Sequence, residues 1–149
     1  SRVRAIRAFE GELGSARAPQ SVTIVLEDQI DISRGDVLAA TDGNTTSSRD
    51  FEATLCWFAE EPLNRSRKYL VKHGTRTVRA MINSPQHRID VNTLDRRPAD
   101  TLALNDIGRV SIKTAQPLVF EAYRSNRAAG SFIVIDEASN NTVAAGLVA

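Results

Sequence analysis

The chain has one cysteine, only three lysines and no Gly-Lys pair, and each scarcity removes a class of chemistry. The lone Cys56 excludes an internal disulfide and any CxxC pair, which predicts a reducing, cytoplasmic setting. A phosphate loop of the GxxxxGKS or GxxxxGKT kind needs backbone N–H groups and a lysine to converge on the phosphates, and none of the eight glycines precedes a lysine. The guanine-reading NKxD pattern is missing too, because Asn105-Asp106 lacks the intervening residues. Apolar runs such as 132–135 fall far short of the roughly twenty residues of a membrane helix, and no charged start leads into an apolar segment. Neither export nor insertion is expected. Nineteen basic residues nearly cancel eighteen acidic ones, so a formal charge of +1 demands neither nucleic acid nor an anionic membrane.

What remains is short and β-branched. At 42% hydrophobic and 25% charged, the 149 residues have ordinary globular material for one good core or two small ones. Strands are predicted over 3–9, 21–26, 51–58, 69–73, 75–82, 87–91, 108–114, 131–135 and 142–148. Turn chemistry separates them at Gly11 and Gly14, Gly35, Asp42 to Asn44, Pro62, Gly74, Pro85, Asn105, Gly130 and Asn140 with Asn141. Helical periodicity is weak: 118–126 has room for one turn, and 92–104 reads as a polar loop with a short helical piece. In 26–38, LEDQIDISRGDVL, the series Val22, Ile24, Leu26 continues through Ile30 and Ile32 as a core-facing alternation. Gly35 then supplies the freedom to turn, making Arg34, Gly35 and Asp36 a structural turn. The small polar segment 40–48 reads as a domain boundary, dividing 1–44 from 45–149. Forty residues rarely bury a core alone, so the first part is expected to be a piece of something longer.

Candidate reactive groups are sparse. Cys56, in the apolar run TLCWF, is expected to be buried. His73 reads as a solvated hairpin residue and His87 as a strand start. The carboxylate pairs Glu27 with Asp28, Glu60 with Glu61 and Asp136 with Glu137 sit at strand ends, where neighbours point to opposite faces. A solvated edge is the plain reading for all three pairs. The clearest charged feature is 64–79, which carries Arg65, Arg67, Lys68, Lys72, Arg76 and Arg79 without an acid. Arg65, Arg67, Lys72, Arg76 and Arg79 are the candidate contacts to an acidic partner or a phosphate backbone. Alternation along the strands favours an ordinary solvated face, and Tyr69 alone is nearby for base stacking.

The ordered series WFAE (57–60) with Pro62-Leu63, RIDVNTL (88–94), NDIG (105–108), Pro117-Leu118, Tyr123, Asn126 and GSFIVIDEASNNTVAAG (130–146) resembles the third domain of the large, GTPase subunit of bacterial sulfate adenylyltransferase. With LEDQIDISRGDVL, which resembles the end of the second domain in translation-factor GTPases, the resemblance spans essentially the whole chain. Two departures are visible: Glu121-Ala122 stands before Tyr123 where the family tends to have Asp then Pro, and Leu147 replaces a methionine.

The resemblance implies an all-β chain: a translation-factor-type antiparallel barrel of about six strands over 45–149, preceded over 1–44 by half of a second barrel. It implies no catalytic, cofactor-binding or metal-binding residue here, with GTP and magnesium in a GTPase domain upstream. The partners it implies are that domain, the small catalytic subunit that makes adenylyl sulfate and pyrophosphate from ATP and sulfate, and in some relatives a downstream adenylylsulfate kinase domain. Nucleic acid and membrane are not among them. Two alternatives stay open: barrel domains of a translation elongation-type GTPase touching tRNA or ribosome, and a free-standing β-barrel interaction module.

Overall fold

Alternation decides the architecture. In the computed structural model, which describes residues 1–41 and 43–149, every regular element is a strand. The turn expected at Asp42 lies outside the described residues. The contacts divide the chain into Ser1–Ser33 and Arg34–Ala149, whereas the small polar segment 40–48 marks the break in the sequence.

The first unit is a three-stranded antiparallel sheet of β1 (Val3–Ala8), β2 (Gly11–Leu13) and β3 (Thr23–Leu26), in the order β2-β1-β3. Gly11 was expected only as a turn residue but opens β2 at φ 131. No residue of this unit is buried. The core-facing alternation expected through Ile30 and Ile32 does not form: no strand runs through these residues, and their side chains are 53% and 52% exposed. An apolar period gives a strand its face, but a strand also needs a hydrogen-bonding neighbour. Residues 27–41 find none in any ladder of the described residues. Ile24, also expected to face a core, is exposed.

The second unit contains β4 (Thr46–Trp57), β5 (Tyr69–His73), β6 (Arg76–Ile82), β7 (His87–Ile89), β8 (Arg96–Arg97), β9 (Ile107–Phe120), β10 (Ser131–Asp136) and β11 (Thr142–Val148). Their order is β4-β11-β10-β5-β6-β9-β7-β8, and a further pairing of β4 with β9 closes six of them into an antiparallel barrel. The β7–β8 hairpin hangs from β9 outside the closed ring. β4 and β9 run past their expected limits, and Leu118–Phe120 extends β9 rather than making a helical turn. The loop 92–104 holds no helix; it contains β8 and drops Leu102, fully buried, onto Gly108.

Inside the barrel Phe51, Ala53, Leu55 and Trp57 of β4 meet Val110 and Ile112 of β9, Val71 of β5 and Val134 of β10. Phe51 packs against Phe120 and Phe132 at centroid separations of 5.0 and 5.6 Å, while Trp57 and Tyr69 meet edge to face at 5.9 Å. Each such pair contributes about 0.5–1.5 kcal/mol beyond its buried area. Gly146 seats the Phe132 ring, because a Cβ there would fall inside the ring's van der Waals surface. Cys56 is exposed, contrary to the expectation of burial. β4 is in register with Leu55 and Trp57 inward, so its even-numbered neighbours point out.

Candidate functional site

The basic segment becomes the β5–β6 hairpin, turning at Gly74 with φ 55. Folding spreads its cations rather than gathering them. Arg67, before β5, donates to Glu61 Oε2 at 2.6 Å and to Asp136 Oδ2 at 3.2 Å. Arg76, at the turn end, donates to Gln116 Oε1 at 3.1 Å and lies 4.0 Å from Asp36. Arg79 pairs with Glu137 at 2.7 Å. Arg65 and Lys72 are exposed. The segment 64–79 lacks acids only in sequence; other elements supply them in space.

Arg34 and Gly35 lie in a turn, with Gly35 at φ 104. A Cβ on Gly35 would touch the Arg76 stem at 3.4 Å, so the turn lies against the base of the hairpin. Asp36 faces Arg76 there. His73, expected to be solvated, is half-buried, with Nε2 2.8 Å from the Ala129 carbonyl.

A cavity of about 670 Å³ opens at the end of the barrel where β5 begins and β10 ends. Its walls include Trp57, Glu60, Glu61, Arg67, Asp136 and Ser139. Asp136 is the residue that sequence reasoning misplaced: expected at a solvated edge, it is 1% exposed. Its Oδ1 accepts from the Ser139 N–H at 2.8 Å, the Ser139 hydroxyl at 3.0 Å and the Ala138 N–H at 3.1 Å. The Ser139 N–H is the main cause holding this carboxyl below the usual range; the Ser139 hydroxyl, Arg67 and the Ala138 N–H help, against the raising effect of burial. An Asp closing a strand with Ser three residues on is a side-chain-to-backbone turn signal. Trp57 donates its indole Nε1–H to the Glu61 carbonyl at 2.9 Å. The Tyr69 hydroxyl accepts the Asn64 N–H at 3.1 Å, and burial pushes this phenol up.

Asp136, Ser139, Arg67 and Trp57 of this cavity are thus engaged in closing turns or ion pairs. Ser139 Oγ is held by an aspartate with no imidazole in between, so it lacks the base that activates a nucleophile. Among the described residues no group of three His, Cys, Asp or Glu side chains could hold a metal ion. The arrangement organises backbone and presents surface.

The motifs that carry the resemblance also form turns. Asp106 accepts the Ala103 N–H at 2.8 Å and pairs with Arg88 at 3.2 Å, beside Asn105 at φ 67. Asp90 takes the N–H groups of Asn92 and Thr93, which lower its pKa, and pairs with Arg97 at 2.9 Å.

Comparison with known proteins agrees with these motifs. Sulfate adenylyltransferase subunit 1 of Shewanella woodyi is 46% identical over 148 residues, 99% of this chain and 32% of the relative. The same subunit of Bacteroides fragilis is 44% identical over 99% of this chain and 31% of its own length. The bifunctional enzyme CysN/CysC of Mycobacterium tuberculosis is 47% identical over 99% of the chain and 24% of its own length. The chain therefore spans about a third or less of the curated relatives it matches. A solved structure of sup35 complexed with GDP shares the fold, with a TM-score of 0.81 at 20% identity over 98% of this chain and 36% of that one. The model described as GTP-eEF1A C-terminal domain-like matches residues 50–149, which include nearly all of the closed barrel, and the chain belongs to that family.

Proposed function

We propose that this chain is a barrel portion of the GTPase subunit of a sulfate adenylyltransferase, where it couples the nucleotide state of a GTPase domain to the small catalytic subunit. The observation that carries the reading is identity of 42–47% over nearly the whole chain to proteins named as that subunit or as its fusion CysN/CysC. The chemistry is consistent with it: the chain lacks a Gly-Lys phosphate loop, and Asp136 and Ser139 of the cavity at the barrel end are committed to a turn. In this reading GTP and magnesium belong to the GTPase domain of the parent, the barrel carries no cofactor, and the setting is cytoplasmic. No helix among the described residues is long and apolar enough to cross a membrane. The relative named as the bifunctional enzyme CysN/CysC supports an adenylylsulfate kinase domain as a further partner in some parents.

Calorimetry with the purified chain tests the silent half of the reading. Titration with a GTP analogue, or with ATP and sulfate, should give no binding heat and no adenylyl product. Micromolar GTP binding would overturn it.

A further inference from the structure

The ladder that joins β6 to β9 is short, and it leaves a seam in the barrel wall. It runs only through Ala80↔Thr114, Met81↔Lys113 and Ile82↔Ile112. Had that register continued, Thr77 would face Pro117, which has no N–H to give. β9 also bulges here, since its register against β4 shifts between Asp50↔Lys113 and Ser48↔Leu118. Among the described residues, 76–79 of β6 and 115–120 of β9 therefore share no ladder. A side-chain bond crosses instead, from Arg76 Nη2 to Gln116 Oε1 at 3.1 Å.

A cavity of about 280 Å³ lies at this seam. Buried Leu118 and Phe120 line it together with Ala129, and the segment that leads into β4 contributes Gly35, Val37 and Thr45. Residues 36–41 of that segment belong to no strand, and Val37 and Leu38 are 51% and 62% exposed. Of these two neighbours, only Val37 lines the cavity. Gly35, at φ 104 against the Arg76 stem, gives the segment a hinge at one end. At the other end the Ala40 carbonyl accepts the Gly43 N–H at 3.1 Å.

We propose that 36–40 is a lid over this seam, which closes by lowering Val37 into the cavity between β6 and β9. The chain itself selects the occupant. Val37 already lines the cavity and is tethered between Gly35 and Thr45, which line it too, so it competes at the effective concentration of an intramolecular group. Closing takes the half-exposed valine out of water and gives Leu118 and Phe120 the neighbour atoms that a void denies them. Arg76 keeps the lid over its seat: its guanidinium lies 4.0 Å from Asp36 at the root of the lid and bonds Gln116 on the far side of the seam. Leu38 stays in solvent in both positions.

The test compares two single-cysteine forms of the chain, Val37→Cys and Leu38→Cys, each combined with Cys56→Ala. A residue hidden by the closed lid is labelled in proportion to the open fraction, so Val37→Cys should react with a thiol reagent about tenfold more slowly than Leu38→Cys. Their similar exposures in the structure, 51% and 62%, would by themselves give similar rates. Thermal melts give a second readout: Val37→Ser should lower the midpoint by about 3 °C or more, while Leu38→Ser leaves it nearly unchanged. Equal labelling rates overturn the lid whatever the melts show, and labelling decides the matter if Val37→Ser fails to fold. Protection of Val37→Cys that appears only as the chain concentration is raised assigns the cavity to a second copy and overturns the proposal.

Discussion

Asp136 shows how much one side chain can organise. Its carboxylate replaces a backbone partner for two successive N–H groups and fixes Arg67 across the cavity mouth. Because its folded pKa lies below the ordinary value, the stability it contributes is fully present above the unfolded aspartate pKa and is lost as pH falls through the lower folded one. Asp136→Asn should cost about 1.5–3 kcal/mol at neutral pH, the scale of hydrogen bonds to a charged group. The gap between the two proteins' melting temperatures should close as the pH is lowered below about 4; a gap that persists in acid would show that the charge is not the cause. Gly146→Ala should be costly for a different reason. The added methyl must displace Phe132, which is pinned against Phe51, and overpacking of this kind costs about 1–3 kcal/mol by chemical denaturation. Cys56 behaves oppositely to a core thiol: with its side chain exposed, it should be modified to completion by a thiol reagent in the folded protein.

Strands are where the sequence is most readable and where its limits show. The strands at Tyr69–His73 and Thr142–Val148 fall on their expected bounds, and Gly35, Gly74 and Asn140 take the left-handed conformations that their turns need. These features are local, set by β-branching and by backbone sterics. What a short window does not contain is the neighbour. Ile30 and Ile32 alternate correctly yet pair with nothing, Cys56 lies in an apolar run yet on its outward parity, and Asp136 looks like an edge residue until Arg67 and Ser139 close over it. The basic hairpin dissolved for the same reason, its acids arriving from residues 36, 61, 136 and 137. β9 changes pairing along its length, and at its bend Thr114 Oγ1 lies 3.1 Å from the Arg49 carbonyl and 2.7 Å from that of Gln116. Thr114→Val keeps the shape and removes the hydroxyl, so it should lower stability by about 0.5–1.5 kcal/mol, the net scale of one hydrogen bond; a change near zero would mean that water replaces the bond.

At the scale of the molecule, the buried side chains among the described residues all lie from Phe51 onward, while Ser1–Ser33 buries none. Amide exchange followed by mass spectrometry should therefore separate the chain. Amides of β1 to β3 should exchange early and those of the barrel strands last, because protection follows burial and closed ladders. Equal protection in both units would contradict this. Barrel closure has a consequence in time as well. β4 pairs with β9 on one edge and β11 on the other, so Cys56 finds Ile107 and Ala145, both encoded far downstream. Such distant pairings slow folding because loop entropy is lost before the contacts form. On a ribosome, β4 must wait with both edges bare until β9 has been made, and its stretch Ala53–Trp57 keeps one edge bare until β11 follows; that interval is when this chain most needs a chaperone.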